Sequence, residues 1–542
     1  MNQTDVPAAS VRGIQGQAFD IQAIVGSAFV PLRHCTYWLF HIADATHARA
    51  WLRSVIGHHL VKGVAELGSA ASGGPATAAR TPKHEEIVMV AISYAGLKAL
   101  NIEESDDFPF PTPFRMGMTS AARAALLGDV AVDDWKWVDA AREKPGPPVH
   151  LLVAHYRSVD AIDDASPFGK AALAASKLIK VDAVKTCPSY AERVKIHGEK
   201  EWHGFEPFGF RDGIGQPSIE GLRGFRGKMN PSEPETVESR DGSIEPGEFV
   251  LGHPTEYGEL AYCPDVKNWP SRMMANGLIS TFGLNGSYLA VRQISQDLGA
   301  FRDFDRDNPS VNGEPSLVER MIGRRKDGRP ILDCPAAPSS IDDFQYRMAD
   351  YEGFQCPRGA HIRRANPRDN LGWNSESGIA ASRLHRLLRR GRVYVDSPAC
   401  ESVPPHPACE SVPPHPACGD PRYRESCGKG LFFMALNGDL ERQFELVQKR
   451  WITNTSFADL SGQSDPLLGT STPSAFSVPG TPLGRRIEWF ASFTRVVGGG
   501  YFFVPSLSAL GFIAGVLPAN SPDGKSTWKG AKTPVPEVNH AI

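Results

Sequence analysis

Very little net charge is left over in this 542-residue chain: 58 basic residues stand against 61 acidic ones, for a balance of −3, and the pI is near 6.6. Such a balance exerts no global pull on nucleic acid, so no nucleic-acid partner is expected. Cysteine is sparse. Nine in so long a chain do not make a disulfide scaffold, and the odd number leaves at least one thiol unpaired. The first 34 residues lack a basic segment followed by a sustained apolar core, so no secretory leader is read and a cytoplasmic location is expected. The most apolar stretch, residues 501–519, is broken by Pro505, Ser506, Ser508 and Pro518, which argues against a membrane span and against a membrane partner.

What is present suits a packed protein of two domains: 41% hydrophobic and 22% charged residues. Apolar or alternating runs at 35–42, 86–93 and 149–156 predict strands, with helices over 46–55 and 171–179 between them. Runs at 249–252, 288–293, 431–435 and 501–504 repeat the scheme. Strands mixed with helices on a sheet predict an α+β fold. His150 and His155, five residues apart, share neither a helix face nor a strand face and read as structural rather than as zinc ligands. Residues 231–247 are polar and rich in proline and glutamate, as in a solvated loop.

Two motifs carry chemistry. The first is Cys356-Pro357-Arg358-Gly359-Ala360-His361-Ile362-Arg363-Arg364-Ala365-Asn366-Pro367-Arg368, an imidazole between an apolar stretch and a cluster of guanidiniums. Nitrogen for an iron and cations for propionates are what a haem requires. The second is Glu206-Pro207-Phe208-Gly209-Phe210-Arg211-Asp212-Gly213-Ile214-Gly215-Gln216-Pro217. Glycines at 209, 213 and 215 permit positive φ, so Asp212 can be offered from a tight loop; an ordinary Asx turn would look the same.

Together the two motifs resemble the dye-decolourising peroxidases, whose G-x-x-D-G loop carries a distal acid and whose later A-H-I-R run carries the proximal ligand. The resemblance covers most of the chain. It includes Gly13-Ile14-Gln15-Gly16, Gly96-Leu97-Lys98-Ala99-Leu100, Tyr288-Leu289-Ala290-Val291-Arg292 with Gln296-Asp297, Gly430-Leu431-Phe432-Phe433, Gln443-Phe444-Glu445, Gln448 with Trp451, Asp465-Pro466, and Gly499-Gly500-Tyr501-Phe502-Phe503-Val504-Pro505-Ser506. It implies two ferredoxin-like domains, residues 1–200 and 201–542, each an antiparallel sheet with peripheral helices, the second holding haem and the distal loop. It also implies a peroxidase that reduces hydrogen peroxide and oxidises dyes, phenols or other organic reductants. A haem-binding or iron-releasing protein on the same scaffold is the alternative. A homo-oligomer is left open. Without a C-x-x-C-H motif, the cofactor implied is haem b rather than covalently attached haem.

By resemblance, His361 binds the iron and Asp465 accepts from its second nitrogen. Asp212 shuttles the peroxide proton, and Arg389, in Leu387-Leu388-Arg389-Arg390-Gly391, supplies a fixed cation. Arg390 competes for that role; the family's R-x-G spacing selects Arg389. Leu431 and Phe433 match an apolar pair lining the distal pocket, with plain core packing equally compatible. Arg363 and Arg368 are candidate propionate partners, or ordinary surface arginines. Trp451 and Tyr394 are redox-capable residues near the pocket motifs. One segment departs from the family: PACESVPPH at 398–406 recurs at 407–415, within an insertion near 397–427. Its proline density excludes helix, and its nine-residue cysteine period fits no familiar zinc pattern, so tandem duplication in a surface loop is the reading.

Overall fold

The computed structural model describes residues 13–516 apart from 68–84, 143–145, 187–192, 197–198, 203, 223–242, 271–279, 311, 333–341, 343, 396–428, 470–473, 481 and 490–491. Alternating apolar runs form β1 (His34–Ile42), β2 (Glu86–Ile92), β3 (Trp137–Val138), β4 (Leu151–Arg157) and β5 (Leu178–Thr186). Two small hairpins follow, β6 (Arg193–Ile196) with β7 (Glu199–Trp202), and β8 (Gly204–Phe205) with β9 (Arg211–Asp212). Then come β10 (Ser287–Gln296), β11 (Leu388–Arg389), β12 (Arg392–Val395) and β13 (Lys429–Asn437). A hairpin of β14 (Ser474–Val478) and β15 (Arg485–Trp489) precedes β16 (Thr494–Val504).

The main sheet runs β10-β13-β12-β5-β1-β4-β2-β16-β3, and β16 also pairs with β10, so the strands close on themselves. The antiparallel run β5-β1-β4-β2 has the fourth-first-third-second order of a ferredoxin-like unit, and β16-β10-β13-β12 repeats it. The expectation of an α+β, ferredoxin-like fold is thus borne out. The two sets of strands meet where Tyr394 faces Thr186 and where Phe503 faces Ile92.

Period-two alternation sorts the side chains. Tyr37, Met89, Tyr156, Leu289, Phe432, Met434 and Phe502 share one buried cluster, while Phe40, Val90, Val153, Ala290 and Phe503 belong to another that includes helical residues of 45–57 and 507–514. Each fully buried large apolar side chain contributes about 1.5–3 kcal/mol. Among the described residues, no helix is long and apolar enough to cross a membrane.

Two local expectations are corrected. Residues 249–252 form no strand: the amide of Val250 bonds the carbonyl of Pro246 at 2.8 Å and Gly252 has φ +80°, which makes this a buried turn. The helix predicted over 171–179 spans Lys170–Ala175, because Lys177 adopts φ +54° and residues 178 and 179 enter β5. The duplicated segment, 398–415, lies outside the described residues.

Candidate active site

His361 begins the helix His361–Ala365. Its Nδ1 lies 2.9 Å from Oδ2 of Asp465, and its side chain is 23% exposed against 0% for the acid. Burial alone would raise the Asp465 carboxyl, yet His361, Arg364 and the amide of Leu468 hold it below the ordinary carboxylate value. Its other oxygen accepts the amides of Leu467 and Leu468, both at 2.9 Å. A buried anion on Nδ1 makes that nitrogen the protonated one and leaves the lone pair on Nε2, an arrangement that metal-binding histidines with an outer carboxylate share. Arg364 supports the acid by donating to the carbonyls of Trp451 and Gln463 at 2.6 and 2.5 Å.

Asp212 ends the β8–β9 hairpin. It is exposed, and its Oδ1 accepts the amide of Gly213 at 2.6 Å. Gly209, Gly213 and Gly215 have φ of +92°, +80° and +77°, as their residue type foretold. The loop after Asp212 is fastened to β11: the Arg389 guanidinium donates to the carbonyl of Ile214 at 2.5 Å, and the Arg389 amide donates to Oε1 of Gln216 at 3.0 Å. Arg390 points elsewhere, donating to the carbonyls of Ile24 and Val25, both at 2.8 Å.

The two motifs are joined through residues 323–330. A Cβ on Gly323 would strike Ile362, beside His361; one on Gly328 would strike Ile214 and Arg211. Asp342 completes the link by accepting from Arg324 at 2.6 Å and from Arg368 at 2.5 Å. Burial would raise its carboxyl, but Arg368, Arg324 and Arg386 hold it low. Arg386 in turn donates to the carbonyl of Gly215 at 3.1 Å. Asp342 and Arg386 were missed by sequence reasoning, since no motif marks a lone acid in a polar loop.

Arg363 is fully buried and donates to the carbonyls of Cys356, Asp350 and Tyr351 at 2.6, 3.0 and 2.8 Å. Arg368, also buried, donates to the carbonyls of Asp342 and Phe344 besides the Asp342 carboxylate. Leu431 and Phe433 lie half-buried on the face of β13 opposite Phe432 and Met434. Phe433 is 6.4 Å from Phe444, centroid to centroid, and the helix carrying His361 packs on the π-helical turn Val447–Ile452 that follows. Trp451, on that turn, packs against His385 and Phe457 with ring separations of 5.3 and 6.3 Å, and Tyr394 is buried in the main core. An imidazole with its second nitrogen on a buried anion is a donor that fits a haem iron.

A scan against family models gives no match. The dye-decolorizing peroxidase msp1 of Mycetinis scorodonius is 28% identical over 503 residues, 88% of this chain and 83% of the relative. The multifunctional dye peroxidase DyP2 of Amycolatopsis is 31% identical over 245 residues, 42% of this chain and 48% of its own. Among solved structures, an ancestral D-type dye decolorizing peroxidase superposes with a TM-score of 0.62 at 23% identity, covering 91% of this chain and 98% of that one. The DyP-type peroxidase of Anabaena gives 0.63 at 20% identity, covering 89% and 91%. The motifs stand in the order expected from the resemblance, and similarity to dye-decolorizing peroxidases extends along most of the sequence, with the solved structures sharing its fold.

Proposed function

We propose that the protein is a haem b peroxidase that reduces hydrogen peroxide and oxidises an organic reductant, with His361 as the proximal ligand and Asp212 and Arg389 as the distal catalytic pair. The observation that carries this reading is the buried, ionised Asp465 on Nδ1 of His361. A histidine that merely packs needs no anion behind it, whereas a ligating one gains basicity and a fixed ring from it. When bound, haem supplies the iron at which peroxide is reduced.

The chain supplies the rest. Asp212 takes a proton from one peroxide oxygen and returns it to the other as the O–O bond breaks, so that the departing oxygen leaves as water. Arg389 offers a fixed positive charge where negative charge develops. Two electrons and two protons from the reductant then balance the second water. Leu431 and Phe433 form the apolar wall. Arg363 and Arg368, as propionate partners, would have to exchange one of the bonds they make now.

Purified protein with a Soret band and peroxide-dependent oxidation of a dye supports the proposal. A Soret band without turnover makes the protein a haem carrier, and no band removes haem altogether.

A further inference from the structure

Glu206 opens the turn that presents Asp212, and both oxygens of its carboxylate are bonded. Oε1 accepts the amide of Phe210 at 2.9 Å; Oε2 accepts the amide of Phe208 at 3.0 Å and Nε2 of Gln296 at 2.8 Å. The main chain closes the same turn, with the Glu206 amide bonded to the Phe210 carbonyl at 2.9 Å and the Gly209 amide to the Glu206 carbonyl at 2.8 Å. Gln296 is the last residue of β10, so one side chain ties the hairpin tip to the main sheet. From the other side, Phe208 stacks on Phe301 at 4.0 Å and Phe210 meets the same ring edge-on at 6.4 Å. The hairpin register then runs directly to the acid, with Phe205 opposite Arg211 and Gly204 opposite Asp212. Asp212 itself is exposed, and its side chain bonds the adjacent amide of Gly213, so its location is inherited from the turn.

We infer that Glu206 is a positioning residue for the peroxide reaction: it gathers two turn amides and Gln296 on one carboxylate and thereby fixes where the Asp212 carboxylate stands. The inference rests on the proton-shuttle role proposed for Asp212. Three converging donors explain the residue type, because once ionised, above about pH 7, the carboxylate has about four acceptor sites and no donor to misplace, whereas an amide side chain brings two N–H groups of its own at every pH. A displacement of about 1 Å at a reacting group costs about 10²-fold in rate, so an anchor of this kind has a kinetic signature.

The test uses haem-loaded protein carrying Glu206→Ala, Glu206→Gln, Asp212→Asn, and the double change Glu206→Ala with Asp212→Asn. Peptide-level hydrogen exchange over residues 204–215 reads the hairpin, and stopped-flow mixing with peroxide reads the reaction. Glu206→Ala is expected to speed hairpin exchange by about tenfold or more and to slow the peroxide step by about 10- to 100-fold with haem content unchanged. Glu206→Gln, which keeps one acceptor oxygen but turns an NH2 group towards the remaining donors, is expected to restore only part of both. The double variant is no slower than Asp212→Asn, because the same contribution cannot be lost twice. Additive losses, or parental exchange and rate in Glu206→Ala, overturn the inference. Should Asp212→Asn react at the parental rate, the proposed shuttle fails and the positioning role falls with it, while faster exchange in Glu206→Ala would then identify a purely structural anchor.

Discussion

His361 is where a single substitution separates ligation from packing. Its side chain bonds Asp465, so His361→Ala deletes the proposed axial nitrogen while leaving the carboxylate with the amides of Leu467 and Leu468. Reconstituted His361→Ala is expected to show a Soret-to-protein absorbance ratio below a tenth of the parent's, about the loss set by removal of an axial ligand; a parental ratio with an unchanged spectrum assigns the iron to another residue. Glu206 gives a pH prediction. Burial pushes its carboxyl up to about 7 despite three donors, and the neighbouring charge of Asp212 adds to the rise. A folded-state value above the ordinary carboxylate value means that the folded protein holds a proton the unfolded chain has released, so stability falls as pH rises from about 4.5 to about 7 and levels off above. Glu206→Gln is expected to flatten that descent in thermal melts across the window, and an identical pH profile in the two proteins would refute it.

Among the elements, β11 and β13 decide where the distal arginine stands. Arg389 faces Ala435 across the ladder, on the face that also carries Leu431 and Phe433. The glycine two residues on has a geometric cause: a Cβ on Gly391 would lie 2.4 Å from the carbonyl oxygen of Phe432 and 2.9 Å from Cα of Phe433. Backbone cannot yield as a side-chain tip can, so Gly391→Ala is expected to cost about 1–3 kcal/mol. It should also slow the peroxide step by displacing Arg389, measured as a lower melting temperature together with a lower stopped-flow rate; a change in neither would mean that the two strands part without moving the arginine. This level also shows what was legible. Alternation exposed β1, β2, β4, β10 and β13, and glycine placement exposed the Asp212 loop, because both are encoded by neighbours in sequence. The buried turn at 249–252 read as a strand, since an apolar run does not record that the Val250 amide bonds Pro246. Arg364 read as one of a cluster of guanidiniums and Arg390 as a competitor of Arg389, but both cap carbonyls drawn from remote segments, Gln463 for Arg364 and Ile24 for Arg390. Glu206 stood at the head of a quoted motif without a role, because its partner Gln296 is ninety residues away.

At the scale of the molecule, the closed ring of strands sets how much the duplicated insertion can matter. The insertion lies between β12 and β13, and these strands are already paired where the connection begins and ends, with Val395 opposite Lys429. The chain from 396 to 428 therefore bridges two points fixed by the sheet. Deleting one copy of the repeat, residues 398–406, shortens this connection from 33 to 24 residues and changes its closure entropy by only about 0.3 kcal/mol, in the stabilising direction. For a protein of this size that corresponds to a melting shift of only about 0.3 °C. Haem content and the peroxide rate are expected to remain at the parental level, because Arg389 and Phe433 are held by the β11–β13 and β10–β13 ladders rather than by the connection. Soret absorbance, thermal melting and stopped-flow rate on the deletion variant make the measurement. Loss of haem with an unchanged melt would place the repeat against the pocket; loss of both would make the insertion part of the core, contrary to its reading as a duplicated surface loop.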